Sequence, residues 1–267
     1  METTLNKAVK LNYVKQGQGP CVLICHGLYG SLANFGGLAK RLEQNYTVIR
    51  VDLRNHGKSP HTLDMTQQSM ANDLVLLLDQ LGISKTIIIG HSLGGKVAMT
   101  FAQNNPLRVS GLVIVDVAPV SYALDSHNNV FAALKSVDLA SIKSRKDAGE
   151  ALSQHLADAS MKQFLLTNLE RTASGFQWRI NLDVLISEYS DIAAAPPAAE
   201  VYYGAALLIK GSDSAYINDA MIQSVKQRFP NCDVNIISEA GHWLHAEKPA
   251  EFIALVEGFL STLFASR

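Results

Sequence analysis

Lys85 to Gly95, KTIIIGHSLGG, constrains this chain more than any other stretch. Three isoleucines form a β-branched run, Gly90-His91-Ser92-Leu93-Gly94 follows at once, and Lys96 to Gln103 reads as a helix. Strand, tight turn and helix with a serine at the apex is the context in which G-x-S-x-G marks a nucleophile elbow. The glycines have a steric task, because the apex backbone is strained and side chains two positions away would meet the neighbouring strand and helix. The following helix aims its first amides and its positive end at the exposed hydroxyl. Ser92 is therefore the candidate nucleophile.

Around this turn the chain alternates strands and helices. Residues 7–14 alternate apolar and polar and predict an N-terminal edge strand, closed by Gly17, Gly19 and Pro20. Cys21 to Cys25 and Leu112 to Val115 are continuous apolar runs, as strands buried on both faces require, and Thr47 to Val51 reads as a further strand. Helical patterns over Leu38 to Glu43 and Thr66 to Leu81 separate them, the second stopped by Gly82. From about Ser121 to Glu200 short helical patterns replace the rhythm, and Ala193 to Pro197 closes that stretch as a linker. Alternation then resumes with strand Ala205 to Ile209, helix Ala220 to Arg228, strand Asp233 to Ile237 and a last helix from Pro249 to Phe264. The expected fold is α/β, a mostly parallel central sheet with helices on both faces. Its core comprises residues 1–120 and 201–267, interrupted by a helical cap over 121–200.

Composition narrows the function. A chain of 267 residues with 48% hydrophobic side chains suits one large domain or a core with an inserted subdomain. A formal net charge of -1 and a pI near 6.7, with no basic run, give no footprint for nucleic acid. METTLNKAVK lacks the apolar segment of a signal peptide, and no stretch reaches the length of a membrane span, which reads as a soluble cytoplasmic protein. Cys21, Cys25 and Cys232 form neither a C-x-x-C motif nor a disulfide framework and are expected to be buried free thiols.

A serine hydroxyl attacks only when a base removes its proton and an acid orients that base. His242, in Glu239-Ala240-Gly241-His242-Trp243, follows the last strand and completes the Ser, Asp, His chain order. Two aspartates compete for the acid. Asp116 follows the strand after the Ser92 helix; Asp213, in Gly211-Ser212-Asp213-Ser214, stands one residue short of the usual acid position, which Ser214 occupies. A one-residue offset on a turn re-aims a side chain, so Asp116 is favoured and Asp213 is the alternative. The amides of Leu28 and Leu93 are the expected oxyanion donors. His26, His91, Trp178 and Trp243 are the expected pocket residues, with Phe131, Leu134, Phe164, Leu165 and Leu185 as further lining from the cap. His26, His56, His91, His242 and His245 do not match a zinc signature, and no metal or other cofactor is called for.

With HGLYGS at 26–31, DLRNHGKS at 52–59, GHSLGGKVAM at 90–99, VDVAP at 115–119, WRINL at 178–182 and AGHWLHAEKP at 240–249, the chain resembles the α/β-hydrolase superfamily. Within it, the chain is similar to the YbfF-like esterases, relatives of mitochondrial abhydrolase-domain proteins. The resemblance implies a small-molecule partner, a short- to medium-chain acyl ester or an acyl thioester. It also implies that the acid follows the strand after the nucleophile, which suits Asp116, and that Ser214 assists His242; Asp213 stands where an asparagine is expected. The same residues could serve lyase or haloperoxidase chemistry, or persist in a ligand-binding module.

Overall fold

The apolar runs become strands of one sheet because each is covered on both sides. The computed structural model describes residues 7–197 and 200–264. The reading of the first ten residues as lacking a signal segment therefore lies partly outside the described residues. The first half of the chain forms β1 (Tyr13–Gln16), β2 (Cys21–Cys25), α1 (Gly36–Leu42), β3 (Thr47–Val51), α2 (Gln67–Gln80), β4 (Thr86–His91), α3 (Leu93–Asn104) and β5 (Val109–Val115). Next come α4 (Asn128–Ser136), α5 (Arg145–Leu152), α6 (Ala159–Leu166), β6 (Leu169–Thr172), β7 (Gly175–Trp178), α7 (Leu182–Ser187) and α8 (Tyr189–Ala193). The chain then returns to the sheet with β8 (Ala206–Gly211), α9 (Asp219–Arg228), β9 (Cys232–Ile237), α10 (Leu244–Glu247) and α11 (Pro249–Thr262).

Seven strands run in the order β1-β3-β2-β4-β5-β8-β9, all parallel except β1, which pairs antiparallel with β3. Side chains alternate between two apolar cores, as the pleat demands. Val22, Ile24, Ile87 and Ile89 face α1 and α11, whereas Leu23, Ile88, Leu112 and Ile114 face α2, α3 and the segment between β5 and β8. β3 lies on one side of β2 and β4 on the other, so the winding reverses between β2 and β4. Loops leaving these two strands diverge there, and doubly wound sheets open their crevice at such a point.

Two expectations need correction. The N-terminal strand is shorter and later than residues 7–14, because the backbone before it bonds to side chains instead of a ladder: Val9 donates to Asp73 Oδ1 and Asn12 to Ser59 Oγ. Between β5 and β8 the chain is not wholly helical, since β6 and β7 form an antiparallel hairpin. Its strands are four residues each and carry no continuous β-branched run. Among the described residues no helix is long and apolar enough to cross a membrane. The three cysteines are free and buried, as expected, and burial pushes the Cys25 and Cys232 thiols up to about 12.

Candidate active site

Ser92 follows β4 directly and takes φ 51° and ψ −118° before α3 begins. This conformation is strained for any residue with a side chain and persists only where the surroundings impose it. The imposition comes from close packing. A Cβ on Gly90 would lie 2.2 Å from Gly94 O, and one on Gly94 would lie 2.5 Å from the carbonyls of Cys25 and His26. Leu93 opens α3, so its N–H has no acceptor one turn earlier. Leu28, in the turn after β2, lines one cavity together with Leu93 and Ser92.

Asp116 holds the equivalent place one strand over, immediately after β5, with φ 50° and no exposure. Its Oδ2 accepts from His242 Nδ1 at 2.7 Å and from the Ser214 hydroxyl, and its Oδ1 accepts from the Gly211 amide at 3.2 Å. A carboxylate on Nδ1 keeps the ring proton there and leaves the Nε2 lone pair free. Tyr216 stacks on His242 with centroids 3.8 Å apart and planes 16° apart. From the other side His91 Nε2 donates to the main-chain carbonyl of His242 at 2.9 Å. Ser92 and His242 line the same cavity, without a hydrogen bond between them among the described contacts; such bonds often close only around substrate.

Asp213 takes no part in this arrangement. It is exposed, and its Oδ1 accepts from the neighbouring Ser212 hydroxyl at 2.7 Å. The one-residue offset turns Asp213 outward and brings Ser214 inward to Asp116.

His26 lies behind the cavity rather than in its wall. Its Nδ1 donates to Gly27 O at 2.8 Å while Nε2 accepts from the Leu53 amide at 3.0 Å, which ties the turn after β2 to the loop after β3. His56 does the same in reverse, donating from Nδ1 to Arg54 O at 2.9 Å and accepting from the Tyr29 amide at 3.2 Å. Burial lowers both, His56 to about 3, so the two rings stay neutral braces. Trp178 lines neither lobe of the cavity: it ends β7 opposite Leu169 and packs against the core. Phe131, Leu134, Leu165 and Leu185 are likewise buried core residues that line neither lobe, Phe131 packing behind the cavity walls against Tyr29, His127 and Tyr189. His91, Phe164 and Trp243 do line the cavity.

Among the lining residues that the sequence did not single out are Tyr29, His127, Tyr216 and Lys96. His127, just before α4, is held between Tyr29 Oη at Nδ1 and Tyr216 Oη at Nε2, each at 3.2 Å. This bridge divides the space above Ser92 into two lobes of about 40 Å³ each. One is walled by Phe35, Met161, Phe164 and Trp243; the other by Lys96, Tyr122, Tyr189 and Ile192. Tyr29 itself has φ 61°, and the Asn168 side chain donates to its carbonyl at 2.7 Å.

A serine strained onto a strand-to-helix turn, facing a histidine delivered by the last loop of a doubly wound sheet, defines the α/β-hydrolase class. The chain belongs to that family: residues 20–249 match the family model described as alpha/beta hydrolase fold. It is similar to the mouse sn-1-specific diacylglycerol lipase ABHD11, 39% identical over 91% of this chain and 81% of that protein. It is also similar to Esterase YbfF of Escherichia coli (strain K12), 36% identical over 92% of this chain and 95% of the relative. A solved structure titled marine microorganism esterase superposes with a TM-score of 0.92 at 36% identity, covering 94% of this chain and all of that one.

Proposed function

We propose that this chain hydrolyses carboxylic esters by transferring the acyl group to Ser92 and then to water. Ester hydrolysis is the activity named for its relatives from bacteria and vertebrates. The observation that carries the residue assignment is the Asp116–His242 hydrogen bond of 2.7 Å beside a cavity that also holds Ser92. In this reading Ser92 Oγ attacks the ester carbonyl and passes its proton to His242 Nε2. Asp116 keeps the imidazole in the right tautomer and stabilises the imidazolium as it forms. Ser214 and the Gly211 amide hold the carboxylate still. The Leu28 and Leu93 amides stabilise the tetrahedral oxyanion. His242 returns the proton to the leaving alcohol, then activates the water that releases the acid.

Residues 121–200 act in this proposal as a cap. α6 supplies Met161 and Phe164 to the aromatic lobe, and His127 brings the bridge across the floor. Each lobe is well below the roughly 150 Å³ of a benzene-sized cavity. Short acyl groups therefore fit with least rearrangement, and medium chains or thioesters require the cap to shift.

Ser92→Ala tests the assignment directly. The expected result is a loss of about 10⁴-fold or more in kcat for p-nitrophenyl butyrate, with an unchanged thermal midpoint. Residual activity near that of the parent chain overturns it.

A further inference from the structure

Lys96 is buried at 3% exposure one turn into α3, beside the second lobe above Ser92. Its ammonium donates to Ala193 O at 2.7 Å and Ala194 O at 2.6 Å, and sits 4.7 Å from the Tyr122 ring centroid. None of the ion pairs among the described residues involves it. A buried cation without a counter-charge is costly and calls for a reason.

Capping the end of α8 is not that reason. Ala193 O already accepts from the Tyr122 amide at 2.9 Å, and Ala194 O from Gln67 Nε2 at 2.7 Å. Both carbonyls stay satisfied without the lysine. Three hydroxyls around the lobe have their protons committed within the protein. Tyr122 Oη donates to Tyr216 O, Ser126 Oγ donates to Ala123 O, and the Tyr189 hydroxyl is bonded to Ser126. An ammonium has three protons, and the two carbonyls take two of them.

We propose that the Lys96 lobe is a subsite for an anionic group, so that the ester hydrolysed at Ser92 carries a carboxylate a few atoms from its scissile carbonyl. Ser92, Leu28 and Leu93 line this lobe with Lys96, so such a group reaches the ammonium while the carbonyl sits on the proposed oxyanion amides. The bound anion supplies the missing counter-charge. Burial alone lowers Lys96 to about 7, and a carboxylate in the lobe would restore its proton affinity. The Tyr29–His127–Tyr216 bridge separates the lobe from the aromatic one, which takes the other half of the ester. The inference rests on Ser92 as nucleophile.

The carboxylate can belong to the acyl or the alcohol half, and two substrates distinguish these. Mono-p-nitrophenyl glutarate carries it on the acyl side and 4-acetoxybutyrate on the alcohol side; p-nitrophenyl butyrate and butyl acetate are their uncharged counterparts. For one of the pairs, Lys96→Met is expected to lower the charged-to-neutral ratio of kcat/KM by about 30-fold or more, the size of a lost buried charge contact. Ratios unchanged in both pairs overturn the subsite. Should Lys96→Met not fold, inhibition of the parent chain decides: glutarate should compete with p-nitrophenyl butyrate at least about tenfold better than glutaramide, and equal inhibition refutes the proposal. Ser92→Ala, read on charged and neutral esters alike, tests the nucleophile, whereas the charged-to-neutral ratio tests the subsite, so the two readings fail separately.

Discussion

Two buried clusters of acid and base sit within the same layer of loops, and they are built to opposite ends. In the first, Arg54 is 1% exposed and all of its donor nitrogens are spent. Nε and Nη2 grip Asp73 at 2.7 Å each, Nη1 takes Asp64 Oδ2 at 3.1 Å, and the carbonyls of Asp64, Ser69 and Lys7 take the rest. In the second, Asp116 is equally buried and saturated, but its partner His242 has only Nδ1 engaged and keeps Nε2 for the cavity. Saturation marks a structural joint, and a free lone pair facing a cavity marks a site for chemistry. Burial pushes the Asp73 carboxyl up although Arg54 pulls it down, so the first pair is not a large source of stability.

The largest effect that sharpens this contrast is expected at Asp116. Asp116→Asn should lose about 10⁴-fold in kcat for a neutral ester, while Asp213→Asn stays within about twofold, as exposed substitutions do. A larger loss at Asp213 than at Asp116 would break the assignment. Next comes the structural cluster. Asp73→Ala leaves an unpaired buried guanidinium and should cost about 3–5 kcal/mol in urea unfolding, with kcat per folded molecule preserved. A fall in kcat without loss of stability would erase the distinction between the clusters.

The smallest effect concerns the neutral histidines that brace the loops. The folded value of His56, about 3, lies below its ordinary 6.5 because of burial, so the unfolded chain binds the proton more readily. That stability is present above pH 6.5 and is lost as pH falls towards 3. Between pH 7 and 5 the loss is about 2 kcal/mol for this ring alone. His56→Gln should flatten the decline in urea midpoint over that interval, and an unaltered slope would show that the ring does not set it.

Much of this architecture was legible in the chain because it rests on local rules. Apolar and β-branched residues gave β2, β3 and β4 within a residue or two, whereas β5 begins before its apolar run because it includes the interrupting Ser110 and Gly111. Ser92 and His242 were singled out by their turns, and both line one cavity. Less legible was anything decided by packing between distant segments. WRINL and DLRNHGKS read as two unrelated signals, yet Asn181 donates to Asn55 through its amide at 3.0 Å and its side chain at 3.1 Å, joining the insert to the core. His127 and Tyr216 lie in irregular loops with no period to reveal that they meet. Trp178 looked like a pocket residue because size and type suggest one, whereas the hairpin turns it to the core.

At the opening serine, the order of strand, glycine turn and helix determined by itself that residue 92 would be held at positive φ, since Gly90 and Gly94 permit a backbone approach that any Cβ would forbid. What surrounds that serine was left to the tertiary structure. Which aspartate meets His242, which aromatic rings wall the cavity and why Lys96 is buried there all depend on loops from different strands converging at one end of the sheet. Hydrogen-bond reach extends about 3 Å, and no spacing along the chain encodes distances of that size between residues more than a hundred positions apart.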